Sequence, residues 1–140
     1  MTEATMDDSL FDESVYVILK LISDELDPQE ITKRIGFAPT KAGVKGSCIP
    51  GRKMPIKEGL WSYQYILTEY PWNIGQAIEE LLPRLESKPE LLDYCRAEDI
   101  YVEFSIVMYL NNRTPIFTLT PDLMARLCRI NAVIDVDMYI

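Results

Sequence analysis

The chain contains no histidine, which removes the commonest general acid or base near neutral pH and the commonest metal ligand. Few groups remain that could do covalent chemistry. Cys48 lies among Lys45, Arg52 and Lys53, cations of the kind that lower a thiol pKa, but no base accompanies it and it reads as a loop thiol. Cys95 and Cys128 read as packed thiols, and three widely spaced cysteines fit reduced side chains rather than a disulfide framework or zinc ribbon. Asp135 and Asp137 fall on one side of an alternating segment and could share a proton or hold a hard cation. The simpler use of that pair is a solvated or salt-bridged sheet face, with Lys20 on a neighbouring strand. No catalytic residue, metal site or cofactor is assigned, and the chain reads as a non-enzymatic binding protein.

Two groups of residues are suited to binding. Between Ile31 and Lys57 there are seven basic residues and no acidic one, although the whole chain has a formal net charge of −8. The protein is therefore an acidic body with one basic loop, over residues 36–59. Gly43, Gly46 and Gly51 could turn backbone amides toward an anion, with Lys41, Lys45, Arg52 and Lys53 adding attraction. No nucleotide-binding glycine spacing accompanies them, and the overall charge disfavours general nucleic-acid binding. The second group is tyrosine. Tyr16, Tyr63, Tyr65, Tyr101, Tyr109 and Tyr139 fall in segments with strand character, several of them on the faces opposite the most apolar positions, mixed with Lys20, Glu103, Asp135 and Asp137. Tyrosine buries area while keeping a polar end, so a sheet face of tyrosine and carboxylate is expected to hold a protein partner. Cross-strand packing would account for some of these tyrosines.

The elements that must position these groups alternate along the chain. Ser14 to Ile22 is β-branched and apolar on both faces, as expected of a strand inside a sheet. Asp27, Pro28 and Glu30 form a capping signal for a helix through Ile35, which Gly36 closes. Leu60 to Glu69 reads as the next long strand, with Trp61, Tyr63, Tyr65 and Leu67 on one side. Asn73 caps a helix carrying Ala77, Ile78, Leu81, Leu82 and Leu85, which Pro83 is expected to kink or shorten. Ser87 to Glu90 repeats the capping-box spacing and opens a short helix through about Arg96. Ile100 to Leu110 alternates as a half-buried strand, and Ile116 to Leu119 reads as a short returning one. Thr120 and Pro121 open a helix through Ile130, and Val133 to Ile140 is the last strand.

This order predicts an α+β fold in which a mostly antiparallel or mixed sheet carries helices on one face, with a ferredoxin-like sandwich as the first topology. Residues 1–13 are expected to be a flexible acidic leader, and 14–140 a single domain. A chain of 140 residues buries about two thirds of its unfolded surface without staples. No apolar run approaches the roughly 18 residues of a membrane helix, and the acidic start is unlike a secretory signal, so a cytoplasmic location is expected.

The order of motifs also resembles a bacterial family known only as domain of unknown function 4279. The resemblance runs from Leu26-Asp-Pro, Ile31 and Gly36 through Pro39-Thr40 and Lys45-Gly46 to Leu60-Trp-Ser62. It continues with Leu81-Leu82, Leu119-Thr-Pro-Asp-Leu123 with Leu127, and Asp135 to Tyr139. It implies a bacterial, cytoplasmic, single-domain protein and no particular activity. From the charge, the expected partner is a basic protein, and the expected role that of an inhibitor or immunity-type protein for a basic toxin. The alternative is an anion-, nucleotide- or nucleic-acid-responsive module using the basic loop. A third reading is an enzyme using Asp135 and Asp137 with a bound cation.

Overall fold

The structure, a computed structural model, describes residues 13–140. All but the last residue of the acidic leader expected from the sequence therefore lie outside the described residues. Five strands form one sheet: β1 (Ser14–Ser23), β2 (Lys41–Gly43), β3 (Gly59–Leu67), β4 (Tyr101–Tyr109) and β5 (Ala132–Tyr139), in the order β2-β3-β1-β4-β5. β1 is central and runs antiparallel to both β3 and β4, whereas β5 runs parallel to β4. The fold is α+β with a mixed sheet, as expected. The topology is not ferredoxin-like, because that arrangement inserts a strand between the two strands of each helix-linked parallel pair. Here β4 and β5 are parallel and adjacent, and β1 and β3, also linked through a helix, pair directly as antiparallel neighbours.

Side-chain alternation assigns the two faces of the sheet. The inner face carries Val15, Val17, Leu19 and Leu21 of β1, each fully buried, opposite Met108, Ile106, Phe104 and Val102 of β4. The helices cover this face and contribute the rest of the core. The first, α1 (Pro28–Ile35), is capped by Asp27, whose carboxylate accepts from the Gln29 N–H, and closes at Gly36 with φ of 93°. Its Thr32 hydroxyl accepts a 3.0 Å bond from the buried Trp61 indole, which fixes helix to sheet.

The second helix, α2 (Ile74–Glu86), runs through Pro83 rather than stopping there. Leu81 and Leu82 before the proline and Leu85 after it are all fully buried, which offsets the backbone bond that proline cannot make. The expected capping box at Ser87 is not formed. Ser87 instead ends α2, its N–H bonding to the Pro83 carbonyl, and Pro89 opens α3 (Pro89–Ala97) without a side-chain cap. The fourth helix, α4 (Pro121–Arg129), is capped by the Thr120 hydroxyl as its sequence suggests. The expected returning strand at Ile116 to Leu119 is a single bridge. Ile116 bonds to the backbone of Trp72 and Ile74 at the start of α2, so its polar groups are satisfied away from the sheet.

One clasp holds an end of the sheet. The Glu13 carboxylate accepts from the backbone N–H groups of Asn111, Asn112 and Arg113 at 3.0, 2.8 and 3.0 Å, and from the Arg113 guanidinium at 2.9 Å. That guanidinium in turn lies over the rings of Tyr70 and Trp72. Those bonds, led by the one from the Arg113 amide, hold the Glu13 carboxyl down at about 2. A carboxyl depressed in the fold stabilises it above the ordinary carboxylate pKa and loses that contribution as pH falls through about 2. Glu13→Gln is therefore expected to melt at lower temperature than the parent at pH 7, with the difference shrinking below pH 4 and vanishing near pH 2. Thermal unfolding followed by circular dichroism across that range checks it; a pH-independent difference would contradict the charge-based account.

Candidate functional site

The face of the sheet opposite the helices carries the binding groups read from the sequence. Register places Tyr101, Glu103 and Tyr109 of β4 on this outer face, in line with Asp135, Asp137 and Tyr139 of β5. Lys20 and Tyr16 of β1 share it. Tyr63 and Tyr65 do not. They align with Leu19 and Val17 on the inner face and pack against the core, Tyr63 touching the Phe37 ring edge-on at 5.0 Å. The cause is the phase of β3. Trp61 must point into the core, and period-two alternation carries Tyr63 and Tyr65 to the same side.

Three tyrosines gather at one end of the outer face. The Tyr109 and Tyr139 rings stack at 4.8 Å with an interplanar angle of 12°, and Tyr16 meets Tyr109 edge-on at 6.4 Å. Tyr139 is 51% exposed and Tyr109 40%, so this is an accessible aromatic platform rather than buried packing. Tyr16 was legible as a strand tyrosine, but only the β1–β4 register joins it to the other two.

The carboxylates lie along the same face. Glu103 sits 3.9 Å from Lys20, so the cation expected beside Asp135 and Asp137 is one strand further away, across β4. Partial burial pushes the Glu103 carboxyl above its ordinary range; Lys20 opposes the rise, and the negative charges of Asp135 and Asp137 add to it. The outer face thus holds more negative charge than its one nearby lysine balances.

Beyond Tyr101 and Val133 the face runs into a cleft of about 810 Å³ at the end of the strands. Asp24, Glu25, Glu58, Glu98 and Asp99 line it together with one cation, Arg96, beside apolar residues that include Ile100 and Val102. These five acids come from three separate stretches of chain, and no local spacing in the sequence announces the cleft. Cys95 also lines it, with burial pushing its thiol up to about 11, which keeps it protonated and unreactive at neutral pH. Cys128, expected to be packed, is exposed on α4, and Cys48 is exposed on the basic loop.

The basic loop is anchored rather than loose. Ile49 and Ile56 are buried, and the Gly46 and Ile56 amides bond to the carbonyls of Ile56 and Ser47. Lys41 begins the edge strand β2, a short strand that the glycine- and proline-rich sequence concealed. Lys45 lies 3.9 Å from Asp24 at the cleft, with both side chains more than half exposed. Arg52 and Lys53 are exposed on the turn that follows. One of the four candidate anion-binding cations therefore pairs with the protein's own acidic surface.

The balance at Glu103 is testable. A carboxyl raised in the fold favours the folded state most below its ordinary pKa, and that contribution is lost as pH rises through the folded value. Glu103→Gln is expected to melt at or above the parent's temperature at pH 7, despite losing the Lys20 pair, and at the parent's temperature at pH 3. A fall of several degrees at pH 7 would show that the ion pair outweighs burial and repulsion.

A family model described as domain of unknown function (DUF4279) matches residues 13–140. No curated protein and no solved structure matches the chain.

Proposed function

The chain belongs to the DUF4279 family, whose description carries no activity, and on that premise we propose that it is a binding protein that holds a basic protein partner on the outer face of its sheet. The observation that carries this reading is the joining of an exposed tyrosine stack, Tyr109 on Tyr139, to the unbalanced carboxylates Glu103, Asp135 and Asp137 on one helix-free surface. Aromatic side chains supply desolvated contact area, and a field of one sign speeds the approach of a partner of the other. The acidic cleft beside Tyr101 extends that field.

In its concrete form the role is that of an inhibitor or immunity-type protein that neutralises a basic toxin, in a bacterial cytoplasm. No helix among the described residues is long and apolar enough to cross a membrane. A non-enzymatic role is part of the same proposal.

Affinity capture from a source lysate, followed by titration of the retained protein, tests it. The combined Tyr101→Ala and Asp137→Ala substitutions are expected to cost about 2 kcal/mol or more, roughly thirtyfold in Kd. Lys45→Glu with Arg52→Glu is expected to leave the complex within about threefold of the parent, because Lys45 sits only at the rim of the cleft, outside the tyrosine and carboxylate core, and exposed rim charges act weakly. The opposite pattern, with nucleotide or nucleic acid eluting from the parent alone, would place the site on the basic loop and overturn the proposal.

A further inference from the structure

β5 is an edge strand: among the described residues the sheet ends with it, and it is paired only to β4. The Tyr139 carbonyl accepts from the Leu110 N–H, so the backbone of Tyr139 points toward β4. By the period of two, Ile134, Val136 and Met138 direct their N–H and C=O groups away from the sheet. Their side chains belong to the inner face, yet Val136 is 42% and Met138 53% exposed, because helix cover stops short of this edge. The alternate residues Asp135 and Asp137 present charge on the outer face. The edge thus offers three things in register: free backbone groups, an apolar row below and an acidic row above.

We propose that the partner engages β5 by adding an extended strand whose side chains alternate basic and apolar, the basic ones against Asp135 and Asp137 and the apolar ones against Val136 and Met138. This deepens the proposed function and rests on it, since it specifies how a basic protein meets the acidic face. Main-chain bonds to an exposed edge give such a complex its affinity, and alternate side chains give its specificity. Charge selects this occupant over two others. In a two-fold antiparallel pairing of two copies centred on Val136, Asp135 of one faces Asp137 of the other, and like charges directly opposite are unfavourable. The chain's own first twelve residues contain Glu3, Asp7, Asp8 and Asp12 with no Lys or Arg, the wrong sign for this edge.

The test uses the full chain and three short peptides: one alternating Lys with Val, one of the same composition with the alternation scrambled, and one alternating Glu with Val. Binding is read by chemical shift titration, and strand addition by amide hydrogen exchange at Ile134, Val136 and Met138. The alternating Lys peptide is expected to bind at least about tenfold more tightly than the scrambled one and to slow exchange at those three amides. Asp135→Lys with Asp137→Lys is expected to reverse the preference toward the Glu peptide while keeping the same amides protected. Equal binding of the alternating and scrambled Lys peptides, with shifts at Tyr109 and Asp137 but no amide protection, would overturn strand addition and leave the basic-partner reading standing. Binding by neither Lys peptide, while a basic protein is still captured from lysate, would do the same. Failure of both peptides and capture would overturn both readings. Protection of the three amides in the free protein, with a dimeric mass in solution, would show that a second copy occupies the edge and overturn the proposal.

Discussion

The rest of the structure depends on the double-sided pairing of β1. Its Val15, Val17, Leu19 and Leu21 are fully buried, and both neighbours lie antiparallel to it, so its register with β3 and β4 cannot slip by one residue without turning that apolar row out of the core. Fixing the row fixes its complement. Once Phe104 and Ile106 of β4 are committed inward opposite Leu19 and Val17, Glu103, Val107 and Tyr109 have no choice but the outer face, and parallel pairing passes the same phase on to Asp135, Asp137 and Tyr139. The placement of the surface proposed to bind is therefore set by core packing.

That dependence explains which tyrosines could be placed from the sequence. Tyr101, Tyr109 and Tyr139 lie in segments whose alternation is unambiguous, where one side is plainly more apolar than the other. Tyr63 and Tyr65 lie in a segment with strong strand formers on both sides, and there the size of Trp61 decides which side turns inward. Tyrosine is itself compatible with either face, since its ring packs on a core while its hydroxyl reaches outward. Such a residue reveals its face only through its neighbours.

The helices and strands were legible because caps and periodicity are local properties. Asp27, Asn73 and Thr120 each accept a backbone N–H at the helix start that their identity suggests. Ser87 failed as a signal because α3 begins at Pro89, which puts Lys88 rather than Ser87 at the cap position, while the Ser87 N–H closes α2 on the Pro83 carbonyl. Strand order and the acidic cleft were not legible, because both depend on pairings between distant residues. The five cleft carboxylates are separated along the chain and become neighbours only when β1, β3 and the end of α3 converge. The three-residue strand β2 had no periodic signal long enough to read, and it exists because β3 offers it an edge.

Charge is divided across the molecule by the same logic. Cations concentrate on a loop anchored by Ile49 and Ile56, where Lys45 already meets Asp24, while on the outer face Glu103 pairs with Lys20 and still feels the charges of Asp135 and Asp137. Had the loop evolved only to neutralise the acidic body, its cations would be expected along β4 and β5, where Glu103, Asp135 and Asp137 repel one another. Instead Lys41 begins β2 at the opposite edge of the sheet, with β3 and β1 between it and β4. The fold tolerates mutual repulsion on the outer face near β5 because Asp135 and Asp137 are solvated and cost little there. A basic surface arriving at that edge, as proposed, would relieve the repulsion that Asp135 and Asp137 exert on Glu103.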